Sequence, residues 1–413
     1  MLVASAWASG PHEKILWNFG NGTDGAVPTA DLISDSQGNL YGTTSLGGIH
    51  LNKCGGSGCG TVFQLSPRQG GGWTETILHS FGNGADGQMP MGTLVADQQG
   101  NFYGTTTSGG SHNNCSGSGC GTVFELSPRQ GGGWTETILH SFGGSTDGKE
   151  PVGNLVVDTN GNLYGTTAFG GIHPCSGGDG CGTVFELSPR QGGGWIETIL
   201  HSFGQTGDGE NPMAGLVIDG QGNLYGTTYN GGIHQLGTVF ELSPNQSGGF
   251  TEVVVHSFGR GSDGTNPDAN LIIDSNGNLY GTTQYGGIHS QGTAFEMSPR
   301  QGGGFSETLL HSFGNLVSND GQNPIAPLAM DTDGNFYGTT FQGGIYFAGT
   351  AFELSPNGSG GWNEVMLRNF GNGIDGAYPA AGVLLDSAGH VYGTTELGGS
   401  SPSLDGVVFE ITP

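Results

Sequence analysis

The sequence predicts an all-β fold, a closed propeller of seven four-stranded antiparallel blades. Three observations carry that expectation. The chain repeats itself seven times, each copy holds four strand signals and no helical period, and the chain begins with one strand to spare and ends one short.

The repeat comes first. Tyr-Gly-Thr-Thr begins at Tyr41, Tyr103, Tyr164, Tyr225, Tyr280, Tyr337 and Tyr392, at intervals of 62, 61, 61, 55, 57 and 55 residues. An Asp-x-x-Gly precedes each copy, starting at Asp35, Asp97, Asp158, Asp219, Asp274, Asp331 and Asp386. A Gly-Thr-Val-Phe-Glu-Leu-Ser-Pro-like run follows, from Gly60 in the first copy to the degenerate 406–413 in the last. A Gly-rich linker then leads to a run such as Trp73–Phe81. Residues 14–413 are therefore expected to form one repeat domain, and residues 1–13 an extension or the remnant of a leader.

The strands come next. In the second copy they are expected at 93–97, 101–106, 121–127 and 135–142, each rich in Val, Ile, Leu, Thr, Phe or Tyr and bounded by Gly, Asn or Pro. The linkers inside a copy are too short for anything but antiparallel neighbours. Residues 14–19, KILWNF, match the fourth strand of the other copies, while the chain ends directly after a third strand. Pairing 14–19 with 407–411 closes the ring and removes two unpaired edges at once.

Composition narrows the partners. Of 413 residues 86 are Gly, and 9 Lys+Arg stand against 35 Asp+Glu for a net charge of −26. So acidic and Lys-poor a chain is not built for nucleic acid or for anionic lipid. The Gly residues follow no collagen period, and 21 Phe, 11 Tyr and 6 Trp are too many large apolar groups for disorder. No apolar run reaches the roughly 18 residues that a spanning helix needs, so no membrane insertion is expected.

The six Cys form three close pairs, Cys54/Cys59, Cys115/Cys120 and Cys175/Cys181, in the loops between second and third strands of the first three blades. Local even pairing suits three disulfides in an oxidising compartment. A zinc reading with His50, His112 and His173 lacks a fourth ligand and the usual spacing. Residues 1–10 hold small residues like the end of a signal peptide, without a basic start.

Two repeated features converge on one face, here termed upper, where the second-to-third strand loops meet the interblade loops. The first is Asp-Gly, at Asp24, Asp86, Asp147, Asp208, Asp263, Asp320 and Asp375, each closely followed by Pro. A ring of calcium sites would need many more oxygens per loop, so turn chemistry is the stronger reading. The second is a histidine nine residues after the motif Tyr, His50, His112, His173, His234 and His289, with Tyr346 and Ser401 in the last two blades. Five imidazoles at one register could ring the channel mouth for sugar hydroxyls, a metal or pH sensing; alternatively each bonds only its neighbouring backbone. His79, His140, His201, His256 and His311, each four residues after a Glu, read as a surface Glu/His alternation. No nucleophile elbow, HExxH, P-loop or dinucleotide fingerprint is present, so no catalytic residue and no cofactor is assigned, and metal binding stays undecided.

The D-x-x-G-N-L-Y-G-T-T, G-T-V-F-E-L-S-P and L-H-S-F-G segments, recurring in register over nearly the whole chain, resemble the GloVer-type tandem repeat of secreted bacterial proteins. That resemblance implies export and implies no particular activity. The expected function is a secreted or cell-surface propeller that binds a glycan or other extracellular component, such as a surface protein, on its upper face. A metal-assisted polysaccharide lyase or hydrolase, and an adhesive protein without a small ligand, are the alternatives. The loop from motif Tyr to the next Gly spans 19, 18 and 18 residues in the first three blades, 12 in the next three and 14 in the last. The inserts would raise a wall along one side of the upper face, with a ligand expected against it near His112 and His173.

Overall fold

A computed structural model describes residues 11–412, apart from 53, 113–114, 116–118, 145, 176–177 and 402. Seven four-stranded antiparallel sheets stand around a central channel, and in six of them the strands run in chain order from the inside outward. In the first blade these are Ile33–Ser34, Leu40–Thr44, Thr61–Pro67 and Trp73–Ser80. Helix among the described residues is confined to a short 3-10 turn at Cys54–Gly56.

The seventh blade closes as expected. Its outermost strand is His12–Asn18, paired with Val407–Thr412 from His12↔Thr412 to Asn18↔Val407. The Phe19 amide extends the ladder by donating to Gly406 O at 3.0 Å. The strand starts two residues before the expected 14, and the residues preceding 11 lie outside the described part.

Tyr-Gly-Thr-Thr is a scaffold motif, and each of its residues has a separate task. The Tyr41 hydroxyl donates to Asp35 Oδ2 at 3.0 Å, while Asp35 Oδ1 accepts the amides of Gln37 and Asn39 and so fixes the hairpin. Gly42 lies under the Phe63 ring; a Cβ there would sit 2.7 Å from Phe63 Cζ, so only glycine lets the ring down onto the strand. The last Thr of the motif bonds within its blade, as Thr44 Oγ1 does to Thr61 Oγ1 at 2.9 Å. The Thr before it reaches the next blade: Thr166 Oγ1 donates to Ala214 O at 2.6 Å, and five other blades repeat the bond.

The core is a set of seven apolar clusters, one at each junction between blades. Every cluster contains a Phe pair, such as Phe81 with Phe124 and Phe19 with Phe63, both with centroids 5.1 Å apart. Edge-to-face or tilted aromatic contact of this kind adds about 0.5–1.5 kcal/mol beyond area burial. The blades therefore stabilise one another in series around the ring.

One irregularity recurs in every blade. The pairing slips by a residue near the end of the outermost strand, where Val62 opposes His79 but Phe63 opposes Ile77. Leu78 is the extra residue of a β-bulge, as are its counterparts in the other blades. In a regular strand Glu75 and His79 would share a face. The bulge turns them apart, Glu75 toward the preceding blade and His79 toward the following one.

Candidate functional site: upper face, channel mouth and blade junctions

The interblade loop and the segment after the second strand lie together, paired as two-residue ladders such as Gly25–Ala26 with Leu46–Gly47. Seven such ladders ring the upper face. Six of the seven Asp-Gly aspartates are buried within it, Asp147 being half-buried, and they orient the loop, with Asp24 Oδ1 accepting the amides of Gly20 at 3.0 Å and Asn21 at 2.8 Å.

The loop histidines do stand on this face, but each belongs to its own blade. A Cβ on Gly82, just past the outermost strand, would lie 3.5 Å from His50 Cβ, and one on Gly143 would lie 3.0 Å from His112 Cβ. His50, His112, His173, His234, His289 and Tyr346 thus sit over the outer part of the blades, and none of them lines the channel mouth. His50 and His173 are half-buried, whereas His112, His234, His289 and Tyr346 are exposed.

The three disulfides are formed, Cys54–Cys59, Cys115–Cys120 and Cys175–Cys181. In each, the second cysteine is buried at the position that Leu236 fills in the fourth blade, under the glycine that ends the outermost strand. The bridge therefore anchors the inserted loop to a plug the blade already requires. The inserts are only partly within the described residues.

Inside the ring, a cavity of about 170 Å³ opens at the upper end of the channel. Its belt is polar and continuous between some blades: Gly382 N donates to Asp31 Oδ1 at 2.6 Å, Asp31 N to Thr93 Oγ1 at 3.1 Å, and Thr93 N to Asn154 Oδ1 at 2.7 Å. Above the belt the positions after the loop Pro are Thr29, Met91, Val152, Met213, Asp268, Ile325 and Ala380, so one blade alone places a carboxylate there. Burial pushes Asp268 up to about 6, and burial likewise raises Asp31 and the nearby Glu396. These channel residues were invisible to a reading that looked for what the repeats share.

A second feature was also missed. Of 17 large apolar side chains exposed among the described residues, 14 lie in upper-face loops. Ile49, Ile172, Ile233, Ile288 and Ile345 recur just before the loop His or Tyr, and Tyr285, Tyr346 and Phe347 add aromatic rings on blades five and six. Single exposed apolar groups need no explanation, but here most of the exposed ones are gathered on one face.

The outer histidines are not a surface alternation. His79 Nε2 lies 3.2 Å from Asp86 Oδ2 and 4.0 Å from Glu136 Oε2 of the following blade. The same His–Asp–Glu grouping recurs as His140/Asp147/Glu197, His201/Asp208/Glu252, His256/Asp263/Glu307 and His311/Asp320/Glu364. Burial, aided by the neighbouring aspartate, pushes Glu136 and Glu197 up to about 9, Glu364 to about 8 and Glu252 and Glu307 to about 7. Burial also works against ionised Asp86, but hydrogen bonds from His79 and Glu136 hold its carboxyl below the usual range. The cluster at Asp86 opens into a groove of about 680 Å³ that His50 also lines.

Two junctions differ. Where the others have histidine, Arg368 bridges Asp375 and Glu13, and Trp17 stands beside Asp24, whose charge acts on Glu75. Among the described residues no helix is long and apolar enough to cross a membrane.

The family model of the Gloeobacter/Verrucomicrobia repeat matches residues 7–193 and 116–319. Among solved structures, the chain is similar to a “putative 6-phosphogluconolactonase” from Bacteroides uniformis, with a TM-score of 0.52 and 14% identity over 81% of this chain and 84% of that one. It is also similar to an ancestral GH74 enzyme, with a TM-score of 0.59 and 11% identity over 94% of this chain; it spans 48% of that longer chain. At these identities the likeness shows the fold alone. No curated protein matches the sequence.

Proposed function

This chain belongs to the Gloeobacter/Verrucomicrobia repeat family, and from that premise we propose that it is a binding propeller working outside the cytoplasm, with a glycan as the ligand of its upper face. The observation that carries the reading is the concentration of exposed apolar and aromatic side chains in the upper-face loops. Aromatic rings offer flat apolar faces to the C–H side of a sugar, and the channel mouth on the same face offers carboxylates and backbone groups to its hydroxyls. A rigid ring holding variable loops is also a common way of presenting a binding surface. The three disulfides support a compartment more oxidising than the cytoplasm.

The test is a glycan array probed with the purified chain, followed by Tyr285→Ala and Tyr346→Ala on whichever glycan binds. The expected result is a retained glycan whose affinity falls at least about tenfold when both rings are removed, a loss of roughly 1.4 kcal/mol or more. An array with no bound glycan, or binding indifferent to both substitutions, overturns the reading.

A further inference from the structure

We propose that the five His–Asp–Glu clusters at the blade junctions are binding sites for a divalent first-row metal of the Zn²⁺ or Mn²⁺ type, each using one imidazole nitrogen and two carboxylates to join neighbouring blades. The argument starts from charge. Every junction brings an interblade Asp against a Glu of the next blade, both largely buried. One oxygen of each of these Glu residues, and one of Asp86, Asp263 and Asp320, is buried with no hydrogen-bond partner. Two carboxylates held so close must share either a proton or a cation.

The ring itself shows what that partner can be. At the sixth junction Arg368 takes the histidine position, and its guanidinium lies against Asp375 and 2.6 Å from Glu13 Oε2. A cation in that place is therefore compatible with the backbone of this fold. At the five histidine junctions the side chain is shorter and offers an electron pair instead of a fixed charge.

The spacing suits a metal. An ion about 2.1 Å from each of three ligand atoms sets those atoms about 3.0–3.5 Å apart. His140 Nε2 lies 3.3 Å from Asp147 Oδ2 and 3.5 Å from Glu197 Oε1. In the other junctions the His–Asp separation is 3.0–3.3 Å, and the Glu stands a little farther off where its distance to His is 3.8–4.0 Å. The aspartates are already aimed by backbone amides, as Asp147 Oδ2 is by Gly143 N at 3.0 Å and Gly144 N at 3.2 Å, which is how ligating carboxylates are held. One nitrogen and two oxygens favour Zn²⁺ or Mn²⁺ over Ca²⁺, which takes oxygen ligands in larger number. The open groove beside Asp86 leaves a further position to water.

The two exceptional junctions make the inference testable. Full-length protein stripped with EDTA is titrated with Zn²⁺ and, separately, Mn²⁺, and binding is followed by calorimetry and thermal unfolding. The expected stoichiometry approaches five per chain, with a rise in melting temperature that grows between pH 6 and pH 8, because binding expels protons. Glu136→Gln and His140→Ala should each remove about one site. Arg368→His should add one by completing a sixth cluster with Asp375 and Glu13, and Trp17→His is a second variant of the same kind should the first fail to fold. Triple substitution of the loop histidines His50, His112 and His173 by Ala should leave the stoichiometry unchanged. The proposal is overturned if binding follows those loop histidines, if it is adventitious and indifferent to the cluster variants, or if the stripped protein takes up neither metal.

Discussion

Arg368 Nη2 lies 2.6 Å from Glu13 Oε2, joining the sixth blade to the strand that the N-terminal part of the chain contributes to the seventh. Glu13 is almost wholly buried, and burial pushes its carboxyl up to about 7 even with the guanidinium pulling it down. Removing the Arg therefore leaves two facing carboxylates, Glu13 and Asp375, without their cation. Arg368→Ala is expected to cost about 3 kcal/mol, the lower end of what breaking a buried pair costs. The loss should be larger at pH 8 than at pH 5, since Glu13 is protonated at the lower pH and no longer needs the charge. Urea unfolding at both pH values measures it; an equal small loss at both would refute the assignment.

The ring closure itself rests on an apolar contact as much as on the ladder. Phe19 is fully buried and meets Phe63 across the junction of the seventh and first blades. Phe19→Ala should destabilise by about 3–5 kcal/mol. Deleting residues 11–19 should do more, because it exposes the edge of Val407–Thr412 and one face of that cluster together. A deletion variant that melts with the wild-type chain would mean that the ring does not need its N-terminal strand.

The junction glutamates give the metal-free protein a distinctive pH dependence. A carboxyl raised to about 9, as in Glu136 and Glu197, binds its proton more tightly folded than unfolded. Its stabilising effect is complete below the ordinary Glu range and is lost as pH climbs through the folded value. The partner Asp86 and Asp147 are lowered, so their contribution fades instead as pH falls below the ordinary Asp range. Stability of EDTA-treated protein should therefore peak in mild acid and decline from about pH 5 to pH 9. Glu136→Gln with Glu197→Gln should flatten that decline, which differential scanning calorimetry across the range will show.

The propeller was readable in the sequence because sameness was enough: seven Tyr-Gly-Thr-Thr copies set the blades, and a spare strand at 14–19 set the closure. The clusters were not readable for a local reason. Glu75 and His79 look like same-face neighbours on a two-residue period, and the single extra residue at Leu78 sends them to different blades. The channel carboxylates escaped for the opposite reason. Asp268 stands at a position where the repeats disagree, and pattern reading weights agreement. The loop histidines stand over the outer part of the blades, which spacing does not encode, because distance from the channel axis is a property of the whole ring.

The disulfides should matter locally. Each closes a ring of about six residues, for which chain entropy predicts roughly 2 kcal/mol as an upper value. Blades four to six hold the same loop shut with Leu236, Gln291 or Ala348 where the first three have a buried cysteine. Reduction should consequently lower the melting temperature by a few degrees, leave the far-ultraviolet spectrum intact and open the inserts to proteolysis. Thiol titration of denatured, unreduced protein should find none of the six cysteines free. Global unfolding on reduction would show that the bridges carry the blades themselves.

Asp268 offers the sharpest separation of scaffold from function. Six blades build the same channel position with Thr29, Met91, Val152, Met213, Ile325 and Ala380, so the fold does not require a charge there. Burial is the one cause that raises its carboxyl to about 6, with no opposing partner to recover the cost of ionisation. At neutral pH that ionisation is a penalty on the order of 1–3 kcal/mol; it shrinks as pH falls through the raised value and is gone only below the ordinary Asp range. Asp268→Ile, which copies the sixth blade, should therefore raise the melting temperature at pH 7.5, by less at pH 5, and change it little once the pH is below the ordinary Asp range. A destabilising group kept in a cavity on the upper face is the pattern expected where function, not folding, chose the residue. The same variant should accordingly lose affinity for any glycan retained on the array. Stabilisation without loss of binding would remove the channel mouth from the ligand site and leave the aromatic rim of blades five and six to carry recognition. Unchanged stability at pH 7.5 would mean that the carboxylate is solvated through the channel.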